Sequence, residues 1–453
     1  MKKLQVSSFL LKEFANYHLF FHFSFFHFSL FHYLCSVKHQ KRLLFALLSF
    51  ISLSIAAQQT RSLSEQIRTV QVIVKGDPLL PPIMEMGDPF EIAFDDLTHE
   101  YTRYIYKVEF CNSDWSVNED VFESDYLEGF NGQPIDEYEK SLNTTVLYTH
   151  YRLSLPNENT RLLLPGNYRV RVYADERDSS DEPVLEACFS LLSPEMAIRA
   201  TVSSNTEVDF NQKHQQVTYA VSYGSRRVID PQRELHTVVM QNRRWDSAVM
   251  DLMPNIQNTM GVEWTHRREL IFSAGSEYHK FEILDVHQNG MGVDKMRWYD
   301  PHYHATLFAM SPQHNYTYNP DRNGAFVIRH SGDEDNDTQC EYLFVHFLLV
   351  MPRLDGGDVY VCGLWDNGFP DPMCKMSYDE SQCAYECGVL LKQGYYNYQF
   401  RQLDSHGVGQ TVRTEGDFYQ TENEYIILVY HRPQGTRYDA LVGYQLINYD
   451  GTR

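Results

Sequence analysis

Four cysteines in one short C-terminal segment are the side chains with the greatest potential for chemistry. Cys362, Cys374, Cys383 and Cys387 are close together in sequence. Thiolates can bind zinc, and two thiols can form a disulfide in an oxidising compartment. The spacing is irregular and matches neither a zinc motif nor a CxxC redox motif. Three interpretations therefore stay open: a zinc site, a local disulfide, and plain core or surface thiols.

Two other groups of residues could bind metal ions. His302 and His304 alternate along a strand, so both rings lie on one face, where they could bind zinc with a third ligand. No third ligand is evident, and we expect both to be structural. The acidic segment 331–339, SGDEDNDTQ, could in principle bind calcium, but its order does not match a calcium loop. We expect it to be a solvated linker.

The sequence contains no recognisable catalytic motif. A G-x-S-x-G elbow, an H-E-x-x-H pair, a phosphate-binding loop and a dinucleotide fingerprint are all missing from it. Carboxylates are abundant, but a chain with 60 Asp and Glu has many neighbouring pairs by chance. We therefore expect no catalytic, cofactor or metal residues and no enzymatic activity. A periplasmic hydrolase, which would need carboxylates with perturbed pKa values in a concave site, is an alternative without support in the sequence.

Composition and patterning indicate that β-sandwiches position these side chains. The chain has 31 Tyr and 27 Phe, residues that fit pleated, half-buried surfaces. Short alternating runs recur between turn signals, as in NYRVRVYADE (167–176) and YIYKVEF (104–110). The pattern predicts an all-β fold of tandem immunoglobulin-like or early-set β-sandwich domains. We expect domains at 58–194, 195–330 and 331–453, and a buried structural role for Trp115.

The first 57 residues are predicted to lie outside the fold. Residues 38–57 combine a basic start, a short apolar stretch and small residues, as a secretory signal peptide does. The Phe/His-rich residues before them are interpreted as translated upstream sequence. Residues 1–57 carry six basic and one acidic residue, so the formal charge of −21 becomes about −26 without them. This charge argues against nucleic-acid binding.

The third block suggests a different activity. Its strand, Trp/Asn-rich loop and GYYNYQF strand (394–400) resemble an early-set, glycogen-binding type of carbohydrate-binding module. Trp365 and Tyr398 could then stack on a sugar. As core and turn residues these two aromatics need no ligand. A carbohydrate-binding cell-envelope protein is therefore the alternative function.

Several long segments resemble one family over about residues 65–446, nearly all of the chain that follows the predicted signal peptide. The resemblance is to the type IX secretion system plug proteins of Bacteroidota. Its most specific parts are the strings LEGFN (127–131) and YTHYRLSLPNE (148–158), and the series YYNYQ (395–399), TEN (421–423), ILVYHRP (427–433) and RYD (437–439). The segments that carry it are 75–97, 106–158, 164–176, 231–246, 319–329, 390–400 and 415–443.

The resemblance implies a periplasmic protein without enzymatic activity at the inner face of the outer membrane. Such a protein would bind the giant outer-membrane translocon barrel and close its periplasmic opening. It implies no small-molecule substrate and no direct membrane insertion. Because Tyr and Phe concentrate binding energy at interfaces, Tyr126 and Phe130 are the candidate interface residues.

Overall fold

Alternating hydrophobic patterns become β-strands throughout the protein. The computed structural model describes residues 60–175, 182–332, 335–366, 371–403, 409–412 and 415–451. Strands account for 49% of the structure and helices for 6%, in several sheets. The predicted all-β sandwich fold is confirmed. The predicted signal peptide lies outside the described residues.

The first sandwich forms because strands that alternate buried and exposed residues can cover one core from two sides. One sheet has the order β1-β12-β11-β5-β7, with β3 parallel to β12, and the other has the order β2-β4-β9-β8. Strands β6 and β10 form a small separate pair. The strands are β1 (Arg61–Ser62), β2 (Ile67–Val74), β3 (Ile83–Glu85), β4 (Phe90–Asp96), β5 (Tyr104–Cys111), β6 (Leu127–Gly129), β7 (Gln133–Pro134), β8 (Glu137–Lys140), β9 (Thr149–Leu155), β10 (Thr160–Leu162), β11 (Gly166–Ala174) and β12 (Leu185–Leu192).

The middle sandwich begins directly after the first. One of its sheets has the order β13-β14-β18-β17, with β19 also paired to β14. The other sheet contains the pair β15 and β16. The strands of this segment are β13 (Ala197–Ser203), β14 (His214–Ser222), β15 (Leu235–Gln241), β16 (Val249–Met250), β17 (Ile256–Gln257), β18 (Gly261–Trp264) and β19 (Ile271–Ser273).

The third sandwich follows with its own aromatic core. One sheet has the order β21-β22-β24-β27-β26, and β28 pairs with the remaining strands of the other. Phe281, Tyr396 and Phe347 are buried between the two sheets. The strands are β20 (His279–Ile283), β21 (Val293–Tyr299), β22 (His302–Leu307), β23 (Phe326–Ile328), β24 (Tyr342–Val350), β25 (Asp358–Cys362), β26 (Ser377–Asp379), β27 (Ala384–Lys392), β28 (Gly394–Leu403) and β29 (Gly409–Thr411).

The last two strands return to the middle sandwich. β30 (Asn423–His431) pairs with β15, and β31 (Ala440–Tyr449) pairs with β30, which gives the sheet order β16-β15-β30-β31. Every residue of β30 is buried. The third sandwich is thus inserted, in sequence, within the middle one. The domain boundaries near 194 and 330 stay a prediction. The pairing of β15 with β30 joins residues on both sides of the boundary near 330.

Helical elements are short and lie in connections. Asp230 caps the helix that precedes β15, because its side chain accepts a hydrogen bond from the Gln232 backbone amide. The described helices are Glu123–Tyr126, Pro231–Glu234 and Asn336–Gln339. The described 3₁₀ turns are Trp245–Ser247, Arg268–Leu270, Leu364–Asp366 and Pro372–Cys374.

Candidate functional site

The two residues predicted to form an interface lie on opposite sides of one loop. Tyr126 is buried, and its hydroxyl donates to the carbonyl oxygen of Val108 at 3.1 Å while its ring stacks on Phe110. Burial raises the pKa of Tyr126 to about 12, so the hydroxyl remains a donor at neutral pH. The side chain of Phe130 is 75% exposed. An interface role for the pair stays a prediction, and of the two only Phe130 presents its ring to solvent.

A second exposed aromatic residue of this loop was not predicted. Phe122 is 68% exposed, and the guanidinium of Arg437 lies 5.4 Å from the centre of its ring. Phe122 and Phe130 are the two most exposed aromatic side chains among the described residues. We call residues 117–131, which carry both rings, the acidic tip.

Asn131 holds the acidic tip against strand β5. Its side-chain oxygen accepts a hydrogen bond from the Val108 amide at 2.6 Å, and its side-chain nitrogen donates to the Val108 carbonyl at 3.1 Å. The same nitrogen donates to the Glu123 carboxylate at 2.9 Å. Gly129 lets the loop close, because a Cβ at this position would lie 1.9 Å from the carbonyl oxygen of Asn159. Both exposed rings therefore project from an ordered backbone.

The chain segment that carries the two rings is acidic. From Ser116 to Glu139 the sequence has eight Asp and Glu and neither Lys nor Arg. Three basic residues reach the tip from other segments: Arg437 pairs with Asp125 at 2.8 Å, Arg432 lies 3.7 Å from Asp120, and Arg161 lies 3.8 Å from Glu128. Even with these pairs the surface that surrounds the two rings is acidic.

A buried ion pair joins the first and third sandwiches. Lys392 Nζ lies 2.7 Å from Asp95 Oδ2, and both side chains are 1% exposed. The same oxygen accepts the hydroxyl of Tyr342 at 2.6 Å, and His150 Nδ1 lies 2.7 Å from the other oxygen. Burial alone would raise the pKa of Asp95, but Lys392 and His150 together lower it below its ordinary value. Both oxygens of Asp95 are thus hydrogen-bonded, and satisfied buried polar groups make a junction more rigid.

The acidic segment 331–339 belongs to this junction. Asp337 pairs with Arg152 of strand β9, and its backbone carbonyl accepts a hydrogen bond from Lys392 at 2.6 Å. Thr338 is buried. The prediction of a solvated linker is therefore wrong for residues 337–339, which are buried or half-buried against partners distant in sequence, whereas Asp335 and Asn336 are exposed. Residues 333–334 lie outside the described part.

Aromatic and ionic contacts join the other sandwiches. Trp115 is fully buried and packs edge-on against Trp245 at a ring distance of 5.5 Å, which confirms its structural role and joins the first sandwich to the middle one. Asp246 pairs with Arg244 and with Arg401 of strand β28, which joins the middle to the third. Burial would raise the pKa of Asp246, but the two arginines lower it below its ordinary value.

A carboxyl group near the middle and third sandwiches titrates near neutrality. Asp321 accepts hydrogen bonds from the backbone amides of Tyr278 and Asn323. Burial, with a smaller contribution from Glu277, raises its pKa to about 7. Asp321 lines a polar cavity of about 350 Å³ beside Glu422. The junction region thus contains a group whose charge changes near physiological pH.

The predicted histidine pair gains an unexpected neighbour. His346, on the strand beside β22, places Nε2 2.8 Å from Nδ1 of His304, and the two rings stack. His302 packs instead on Phe344. Burial and the neighbouring imidazole lower the pKa of His346. Within the described ranges, no three His, Cys, Asp or Glu side chains are placed so as to hold a metal ion.

The cysteine segment contains no zinc-like cluster in the part of the chain that the structure describes. Cys362 and Cys374 are buried, whereas Cys383 is an exposed free thiol and Cys387 a half-buried one. Burial raises the pKa of Cys387 to about 11, which keeps it protonated and unreactive. The local disulfide stays a prediction.

The two residues of the glycan-binding alternative occupy different environments. Tyr398 is 2% exposed and packs on Phe347. Trp365 is half-buried and lines an open cavity of about 440 Å³ together with Phe326 and Tyr396. Sugar binding by this pair stays a prediction, and only Trp365 has ring surface available for it.

These features define a multi-sandwich β protein with buried junctions and an exposed acidic aromatic loop. Residues 67–193 match the family model described as "Type 9 secretion system plug protein 1st domain". This range begins with β2 and ends just after β12, so it contains nearly all of the first sandwich. The chain belongs to the type IX secretion system plug protein family.

A solved structure extends the similarity to most of the chain. The crystal structure of a hypothetical protein from Parabacteroides merdae ATCC 43184 is 40% identical, with a TM-score of 0.84. The match covers 87% of this chain and 100% of that one. No curated protein matches the chain.

Family membership gives the coarse function. It supports a plug role related to type IX secretion, with a protein partner in that system, a location in the cell envelope and a structural rather than catalytic role. In the residues that the structure describes, helices are too short or too polar to cross a bilayer.

Proposed function

We propose that this protein is a periplasmic, non-enzymatic plug that binds the outer-membrane translocon barrel of the type IX system and closes its periplasmic opening. The proposal is carried by one observation in a member of this family: its three sandwiches are joined through buried contacts. A wide, water-filled pore leaks unless a body that resists deformation fills its mouth. Lys392–Asp95 and Trp115–Trp245 provide that resistance at two separate junctions.

The surface chemistry supports a protein partner at the cell envelope. The acidic surplus of the chain disfavours nucleic acid and the anionic headgroups of a membrane. It favours a partner with a basic docking rim, because complementary charge accelerates association and selects the orientation. Phe130 supplies an exposed apolar contact on this surface.

The direct test is purification of the tagged protein from detergent-solubilised envelopes, followed by mass spectrometry. We expect one very large outer-membrane barrel to accompany it. The same bait with Phe210→Ala, an exposed substitution in the middle sandwich, is the control and should recover the barrel equally. A protein that fractionates alone in the periplasm, without the barrel, would refute constitutive plugging.

A second test measures closure itself. Cells that lack the protein should admit a large hydrophilic antibiotic that the outer membrane normally excludes, and wild-type protein should restore exclusion. Unchanged uptake in the deletion strain, with the barrel present, would show that the protein does not close the pore.

A further inference from the structure

We infer that the acidic tip is the docking point for a protein surface that has an apolar pocket surrounded by Lys and Arg. The inference deepens the proposed function, on which the identity of the partner rests. It starts from the exposure of Phe122 and Phe130, 68% and 75%, which exceeds that of every other described aromatic side chain.

The tip is ordered before any partner arrives. Asn131 fixes the loop to both backbone groups of Val108 and to Glu123, which lies next to Phe122. Strand β6, directly before Phe130, pairs with β10. A loop held in this way loses little conformational freedom on binding, so more of the contact energy appears as affinity. Exposed phenylalanines on an ordered loop are therefore suited to act as anchors.

The charge around the rings selects the partner. Glu119, Asp120, Glu123 and Glu128 are exposed beside the two phenylalanines. An anionic membrane would repel this surface. A symmetric contact between two copies would place the same acidic residues against one another. A protein pocket with a basic rim would bury the two rings and pair with the carboxylates.

Photo-crosslinking in cells tests the location. Phe122 and Phe130 are each replaced by p-benzoylphenylalanine, which preserves the ring, and Phe210, which is 64% exposed, is the matched control position. We expect crosslinks from positions 122 and 130 to a peptide adjacent to Lys and Arg, and none to that peptide from position 210. Equal crosslinking from all three positions, or none from the tip, would overturn the inference.

Binding measurements test the energetics with the full chain and purified translocon barrel in detergent. Phe122→Ala together with Phe130→Ala should weaken binding about tenfold or more, and Phe210→Ala by less than about twofold. Glu119→Gln together with Glu128→Gln should slow association and reduce its salt dependence. Urea unfolding should be unchanged in every variant, because all of these side chains are exposed.

The outcomes separate the inference from the proposed function. If the wild type binds the barrel and the tip variants bind equally well, the docking point is wrong and the plug proposal survives. If the wild type does not bind, the plug proposal fails, and crosslinks in cells to a basic-rimmed pocket of another protein would still support the tip. A change in oligomeric mass caused by the tip variants would identify a second copy as the occupant and overturn the inference.

Discussion

Lys392 and Asp95 form a fully buried ion pair although 297 residues separate them in sequence. The lysine ends strand β27 of the third sandwich, and the aspartate lies near the end of strand β4 of the first. Lys392 also lies 4.2 Å from the ring centre of Tyr148. This pair lies in a junction that also contains the Arg152–Asp337 ion pair and the packing of Tyr148 on Tyr342.

Replacing Lys392 with Met should destabilise the protein strongly. The substitution leaves the Asp95 carboxylate buried without its cation, a change that costs about 3–5 kcal/mol in buried pairs. The measurement is the urea-unfolding midpoint. Lys375→Met removes an exposed pair with Asp358 and should cost less than about 1 kcal/mol. Equal losses of stability in the two variants would show that the buried pair contributes no more than the exposed pair. The double variant with Asp95→Asn should recover part of the loss.

Asp321 should make the protein less stable as the pH rises towards neutrality. The unfolded side chain binds a proton only below its ordinary pKa of 3.8, whereas the folded one retains the proton up to about 7. Between these values the folded state binds more protons, so its stability falls as the pH increases. Asp321→Asn should remove this part of the decline in a series of urea midpoints from about pH 4 to about pH 8. Asp371→Asn, at another turn-capping aspartate, is the control. Identical slopes in wild type and Asp321→Asn would contradict the prediction.

Trp115 should be more important to stability than an exposed tryptophan. Trp115→Ala opens a cavity against Trp245 between two sandwiches and should cost about 3–5 kcal/mol. Trp298→Ala, at a 46% exposed position, should change stability by no more than about 0.5 kcal/mol. The midpoint of chemical unfolding, followed by far-ultraviolet circular dichroism, measures both. A mild effect at Trp115 would mean that the first and middle sandwiches are stable without this contact.

Asn131 should control the order of the acidic tip. Asn131→Ala removes the acceptor for the Val108 amide and should cost about 1–3 kcal/mol. Hydrogen exchange should accelerate for residues 117–131, while Asn289→Ala, which removes an exposed hydrogen bond elsewhere, should leave these amides unchanged. Unaltered exchange in Asn131→Ala would show that strand β10 alone orders the tip.

Local sequence patterns predict the strands well because alternation reports directly which face is buried. Residues 167–174 of the run NYRVRVYADE lie in β11, and EYIILVYHRP (424–433) supplies most of β30. The pattern carries no information on which strand pairs with which, so the return of β30 to β15 could not be derived from it. The same limit applies to Asp95 and Lys392, since each reads locally as an ordinary charged residue at a strand end.

Local sequence patterns are equally limited for the acidic tip and for residues 331–339. Tyr126 ends a four-residue helix and Phe130 follows the three-residue strand β6, and elements this short show no period that predicts burial. One ring faces the core and the other faces solvent. The acidic composition of 331–339 suggested solvent, but Arg152 and Lys392 come from distant segments to cover Asp337. Composition describes a segment without its neighbours in space, and here those neighbours determine that Asp337 is covered.

The insertion of the third sandwich within the middle one has a consequence for the order in which the protein forms. The first sandwich contains only residues that emerge early from the ribosome, so its sheets can be complete while the rest is still being made. The middle sandwich cannot close until β30 and β31 have arrived, because they fill one side of its core. Until then the sheet that faces β14 consists of β15 and β16 alone, and the core between the two sheets is incomplete. The final residues of the chain therefore complete a core whose first strands were made more than 200 residues earlier.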